Sequence, residues 1–331
     1  MKKYIAILLV AAMATLGISA CRKENSNQET KIQKESNIKV VTTIFPEYDW
    51  VRQIAGKEAD QMDITMLLDN GVDLHSYQPT AEDIMKVSDC DLFVYVGGES
   101  DSWVDDALKQ VKNKDMQVVN LLDVLGNSVK EEEVIEGMEP EEEEEEGGEE
   151  EEPEYDEHVW LSVKNAEVLS KAIADALEKA DPDHKDVYQE NASAYSEKLK
   201  NLDAKYQEVV DGASQKTLLF GDRFPFRYLV DDYGLSYYAA FVGCSAESEA
   251  SFETISFLAN KVDELGLKDI MAIENSNQKI AKTIIENTKE KNQKILTLYS
   301  MQSTISDDVK NGTTYLSVME KNLEVLKEAL Q

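Results

Sequence analysis

Positive charge is scarce in this sequence. Its 331 residues carry 34 Lys and Arg against 66 Asp and Glu, a formal net charge of −32. That balance excludes nucleic acid as a partner, because binding a polyphosphate needs a basic face. Histidine is scarcer, with three residues in the whole chain, and so is cysteine, with Cys21, Cys90 and Cys244. No Ser/His/Asp set and no phosphate-cradling glycine loop is present, since Gly97-Gly98 is too short a signal to count. These absences leave no recognisable catalytic apparatus.

Long apolar runs are also missing, apart from one at the start. Lys2 and Lys3 precede an apolar stretch from Ile5 to Val10, continued by Ala11 and Ala12 and too short to span a bilayer as a permanent helix. Ile18-Ser19-Ala20-Cys21 follows, an aliphatic residue and two small residues before a cysteine at the cleavage point of a bacterial secretory signal. Residues 1–20 are therefore expected to be a lipoprotein signal, with a lipid on Cys21 anchoring the chain to the outer face of the cytoplasmic membrane. The polar stretch 21–36 reads as a flexible tether. Cys90 and Cys244 fall in different halves and are expected to be two separately buried thiols rather than a disulfide.

What remains is alternation. In the first half, strands are expected at Ile38–Phe45, Ile64–Leu68, Leu92–Val96 and Gln117–Leu122, separated by helical stretches. In the second half, strands are expected at Leu218–Phe220, Tyr237–Phe241, Ile270–Ile273 and Ile295–Leu298. Short apolar runs alternating with helices imply βαβ units. The fold class is α/β, with two lobes that each hold a short, mostly parallel sheet flanked by helices. From Lys185 to Val210 there is no Gly or Pro, and Tyr188, Ala192, Tyr195, Leu199, Leu202, Tyr206 and Val209 recur at helical spacing. One rigid helix of about 40 Å, at 1.5 Å per residue, is expected there to join the lobes. The segment Glu131–Glu157 has eighteen acidic residues and no Lys or Arg. It is expected to be a disordered, solvated insert, and its functional reading is a weak collector of cations. The chain thus divides into 37–130 (first lobe), 131–157 (insert), 158–213 (end of the first lobe and linking helix) and 214–331 (second lobe).

Three segments resemble the zinc and manganese solute-binding lipoproteins of bacterial ABC transporters. Asp73-Leu74-His75-Ser76-Tyr77-Gln78-Pro79-Thr80 is similar to that family's Asp-Pro-His-x-Tyr-Glu-Pro-Thr loop. Asp156-Glu157-His158-Val159-Trp160-Leu161 is similar to its Asp-Pro-His-Val-Trp-Leu. Tyr233-Gly234-Leu235, followed by Gly243-Cys244-Ser245-Ala246-Glu247-Ser248-Glu249, resembles its second-lobe motif. The resemblance runs from about Lys39 to the C-terminus. It implies capture of a divalent transition metal in the interlobe cleft, zinc first and manganese second, for a membrane permease of an ABC importer. It also implies His75 and His158 as ligands, which agrees with imidazole chemistry. His184, after Asp181-Pro182-Asp183, reads as a surface residue at a helix start. A monomer is expected.

The second lobe departs from the family pattern. Its usual third ligand falls on Arg223, which cannot bind a cation because it stays protonated. Its fourth falls in Tyr299-Ser300-Met301-Gln302, which offers neither carboxylate nor imidazole. Asp222 could supply an oxygen, the insert or water could complete the shell, or Arg223 could pair with Glu274 or Glu247 while metal binds through the first lobe. Arg223 could also clamp an anionic metal chelate. The alternative from another class is a surface adhesion protein of the same fold with a degenerate or structural metal site. A zinc hydrolase is the weakest reading, because no general base is placed beside the two histidines.

Overall fold

The computed structural model describes residues 37–138, 154–245 and 249–331. The secretory signal, the tether, Cys21, the middle of the acidic insert and Glu247 lie outside the described residues. Residues 37–331 group as one compact unit.

Two four-stranded parallel sheets form its frame. The first runs β2-β1-β3-β4, with β1 at Lys39–Thr42, β2 at Asp63–Met66, β3 at Leu92–Tyr95 and β4 at Gln117–Asn120. The second runs β6-β5-β7-β8, with β5 at Thr217–Phe224, β6 at Ser236–Val242, β7 at Asp269–Ile273 and β8 at Lys294–Leu298. Both sheets pair in parallel, with Val40 opposite Ile64 on one side and Leu92 on the other. The central strands are apolar on both faces, as helix-covered parallel strands must be. Val40, Leu92, Phe93 and Val94 are all fully buried.

Two of the helices begin where a serine side chain satisfies a free N–H group. Ser162 Oγ accepts from Asn165 N at 2.9 Å to start Val163–Ala180. Ser251 Oγ accepts from Thr254 N at 3.1 Å to start Phe252–Leu265. The expected linking helix spans Lys185–Asp211, 27 residues, and buries Tyr188, Tyr195, Leu199, Leu202, Tyr206 and Val210. It packs on Phe45–Ala55 and Val163–Ala180, and on the C-terminal helix Tyr315–Ala329, which also packs on β8. Tyr206 Oη donates to Met319 O at 2.6 Å. One apolar cluster runs through both sheets, from Val40 and Phe93 to Phe220 and Leu326. The two lobes are therefore fused by a shared core as well as by the helix. Among the described residues, no helix is long and apolar enough to cross a membrane.

Two expectations change. β5 is longer than expected and includes Asp222 and Arg223, with its register against β6 shifting between Phe220 and Arg223. Such an irregularity re-aims the side chains beside it. The acidic segment also departs from a wholly solvated loop at both of its ends. Glu131 pairs with Tyr155 in an antiparallel bridge, Glu133 pairs with Arg227, Met138 is buried, and Asp156 and Glu157 are 2% exposed. Hydrogen bonds and ion pairs to the second lobe hold the flanks of that segment.

Candidate metal centre

The chemistry gathers at the carboxyl ends of the strands, where open parallel sheets present their loops. Beyond β2, a short 3₁₀ turn at Leu74–Ser76 is anchored by buried Leu74 and capped by Asp73, whose Oδ1 accepts from His75 N at 3.1 Å. That turn aims the His75 ring inward. Its Nδ1 lies 2.9 Å from Ser100 Oγ, on the loop beyond β3, and 3.6 Å from Glu157 Oε2. Burial, and then the adjacent His158 ring, lower the His75 pKa to about 3, so the ring is neutral at physiological pH.

His158 opens the 3₁₀ turn Val159–Leu161 and is fully buried. Its backbone N donates to Asp156 Oδ1 at 2.8 Å, and its Nδ1 lies 3.0 Å from the same oxygen. A carboxylate only accepts, so the His158 proton belongs on Nδ1 and the Nε2 lone pair is free. That Nε2 faces His75 Nε2 at 3.1 Å. Trp160 backs the ring, with centroids 5.2 Å apart.

A third group stands beside these two. The Cys244 sulfur, just past the end of β6, and one ring nitrogen from each histidine lie within 4.8 Å of one another. Cys244 and Cys90 are both unpaired. Cys244 was expected to be a buried thiol, and its place in the cleft is legible only once β6 and the first lobe are brought together. Its position in a loop after a strand, inside a segment resembling a binding motif, is the signal that could have singled it out. Burial, and then the nearby Glu132, Asp156 and Glu157, push its thiol pKa well up. Glu132, which sequence reading left within the insert, has its Oε1 accepting from Cys244 N at 3.1 Å.

Asp222 does not join this group. Its Oδ1 accepts from Arg223 N at 3.0 Å and its Oδ2 from Ile273 N at 3.4 Å, so it bonds strand backbones. Arg223 pairs with Asp73, across the cleft, and donates to Gln302 Oε1 at 3.1 Å. Burial raises the Asp73 pKa, but Arg223 and then His75 outweigh it and hold the carboxyl below its usual range. Glu274, one of the two carboxylates weighed as partners of Arg223, accepts from Ser300 N at 2.6 Å and Ser300 Oγ at 2.8 Å. His184 sits away from the site, bonded through Nδ1 to Asp181 at 2.7 Å.

Known proteins resemble this chain in sequence and fold. The family model described as "Zinc-uptake complex component A periplasmic" matches residues 40–329. The zinc-binding lipoprotein AdcA of Streptococcus pneumoniae is 34% identical over 97% of the chain, which spans 60% of that relative's length. The high-affinity zinc uptake system protein ZnuA of Bacillus subtilis is 32% identical over 99% of the chain and 98% of its own. The crystal structure of the Zn(II)-bound ZnuA-like domain of S. pneumoniae AdcA superposes with a TM-score of 0.68 at 31% identity, covering 89% of this chain and 99% of that domain. The laminin-binding protein Lmb of Streptococcus agalactiae, described as having adhesin and metal transporting activity, has a TM-score of 0.68 at 26% identity, covering 89% of this chain and all of its own. On its match from Val40 to Ala329, the chain belongs to the zinc-uptake complex component A family of solute-binding proteins.

Proposed function

We propose that this protein captures Zn²⁺ between its two sheets and hands it to the permease of an ABC importer, held at the outer membrane face by a lipid on Cys21. The observation that carries this reading is the pair of facing imidazole nitrogens, His75 Nε2 and His158 Nε2, 3.1 Å apart. Two such atoms on a tetrahedral zinc sit about 3.3 Å apart, given Zn–N bonds near 2.05 Å. The ring nitrogens that do not face the cleft are already held by Ser100 and Asp156, so the ligand pair is pre-oriented. Zinc here is cargo, and the site is assigned no reaction. The acidic insert supports a second role as a collector, since its flanks Glu132 and Glu157 reach the site while its centre carries the bulk of the charge. The adhesion alternative rests on Arg223 and Gln302 standing where the family pattern places ligands, and the facing histidines favour capture over it.

Calorimetric titration with zinc and with manganese tests the proposal. Zinc is expected to bind at micromolar or tighter dissociation constant, at one site, and manganese far more weakly. Failure of zinc to bind would end this reading.

Arg223 gives a second test. Its guanidinium stands where the family pattern places a ligand, and it lowers the His75 pKa through its charge. At an effective dielectric of about 20, a charge roughly ten ångströms away opposes a bound cation by about 1–2 kcal/mol per unit charge. The part-buried clasp of Arg223 with Asp73 contributes about 1 kcal/mol to lobe closure, and the shared core closes the lobes without it. Repulsion is the larger effect. Arg223→Met is therefore expected to tighten zinc binding about tenfold at low salt and less at high salt. Weaker binding in the variant would show that the clasp governs closure.

A further inference from the structure

Resting on the reading of metal capture, we propose that the Cys244 thiol, from the second lobe's side of the cleft, is the third protein ligand and joins His75 and His158 in an N,N,S site that selects borderline and soft cations. The family's own positions cannot supply that ligand here. Arg223 is paired with Asp73, Gln302 is held by Arg223, and Asp222 is bonded to strand backbone.

Two observations place the sulfur in the site, and a third points to a cation there. Its distance is the first: the sulfur and both histidine nitrogens lie within 4.8 Å of one another. In a tetrahedral zinc site, sulfur and nitrogen ligands stand about 3.6 Å apart, given Zn–S near 2.3 Å. Closing that gap needs a shift of about 1 Å, within the reach of a side-chain rotation on the loop.

The approach of the backbone is the second. A Cβ on Gly243 would stand 3.0 Å from His158 Cε1 and 2.9 Å from Phe224 O. Only glycine lets the chain pass this close to the ring, and the next residue is the cysteine. Glu132 then fixes that turn by accepting the Cys244 N–H.

The third is an unsatisfied group. Glu157 Oε2 is buried without a hydrogen-bond partner and lies 3.6 Å from His75 Nδ1. A buried carboxylate oxygen left this way is costly on its own. A dication on His75 would draw the ring's Nδ1–H toward it and satisfy the oxygen.

On binding, the thiol forms its bond to the metal as thiolate, and its proton passes to solvent by way of the Glu132 carboxylate beside it. The metal changes no oxidation state. A thiolate favours zinc, cadmium and copper(I) and disfavours manganese, magnesium and calcium. This sets the cargo class more narrowly than two imidazoles do.

The test loads the full chain with Co²⁺, a spectroscopic stand-in for zinc, and follows the sulfur-to-cobalt charge-transfer band in the near ultraviolet. The band is expected in the native protein and absent in Cys244→Ser. The same variant is expected to lose about a hundredfold in zinc affinity, from one ligand's share of a zinc site, while its weak manganese affinity changes less than threefold. Far-ultraviolet circular dichroism and thermal unfolding confirm that the variant folds, and Cys244→Ala repeats the measurement without a hydroxyl. Cobalt bound with no sulfur band, or native zinc affinity in both variants, would overturn the cysteine assignment and leave metal capture standing. If the native chain binds neither zinc nor cobalt, both fall together.

Discussion

Replacing His158 with alanine is expected to weaken zinc binding about a thousandfold. Structural zinc sites bind with roughly 10–16 kcal/mol in all, so one of three or four ligands carries about 3–4 kcal/mol, or two to three powers of ten. His158 has no substitute, being fully buried, with its Nδ1 fixed on Asp156 and its Nε2 aimed at His75. Its loss would also strand the Asp156 carboxylate, 2% exposed, without its ring partner. A fall in stability should therefore accompany the loss of affinity. His75→Ala is expected to cost similar affinity and less stability, because His75 lies closer to solvent and its ring bonds a hydroxyl rather than a buried carboxylate. Calorimetry with zinc reads the first effect, and urea unfolding without metal reads the second. Retention of native affinity in either variant would remove that histidine from the site.

The strands and helices were legible because their signals are local. Phe252–Leu265 shows its apolar face in sequence and forms over those residues in the structure. The gap-free run of tyrosines and leucines marks the long helix to within a residue of its end at Asp211. His75 and His158 were legible for a different reason, since each sits inside a loop whose neighbours resemble a binding motif. Cys244 and Glu132 were not legible, because what makes them interesting is proximity across 112 residues of chain. No periodicity reports that. Arg223 was recognised as out of place, but Asp73 was not among the partners weighed for it. Glu274 bonds Ser300, and Arg223 pairs with Asp73 on the opposite lobe. The acidic insert misled in the same way. Its flanks are set by Tyr155, Arg227 and Cys244.

Trp160→Ala is expected to lower stability by about 3–5 kcal/mol, the usual range for removing a large buried aromatic. That is a large share of the 5–15 kcal/mol available to a folded domain. Trp160 is fully buried and bridges the lobes at the site: Nε1 donates to Ser300 O at 2.8 Å, and its own carbonyl accepts from Tyr315 Oη at 2.7 Å. Truncation opens a cavity behind the His158 ring and leaves the Ser300 carbonyl without its donor. Trp160→Phe keeps most of the volume and loses only the hydrogen bond, so it should cost about 1–1.5 kcal/mol. The site links this defect to metal. Zinc that binds only the folded state adds about 4 kcal/mol when it is present at a thousandfold excess over its dissociation constant. Saturating zinc should therefore offset most of the loss in Trp160→Ala, though at a higher concentration than the native chain needs, because the unsupported His158 ring must be ordered again on binding. Urea unfolding with and without zinc measures both terms. A metal-free loss below 1 kcal/mol would show that the two lobes are joined without the tryptophan, leaving the long helix and the C-terminal helix to hold the cleft.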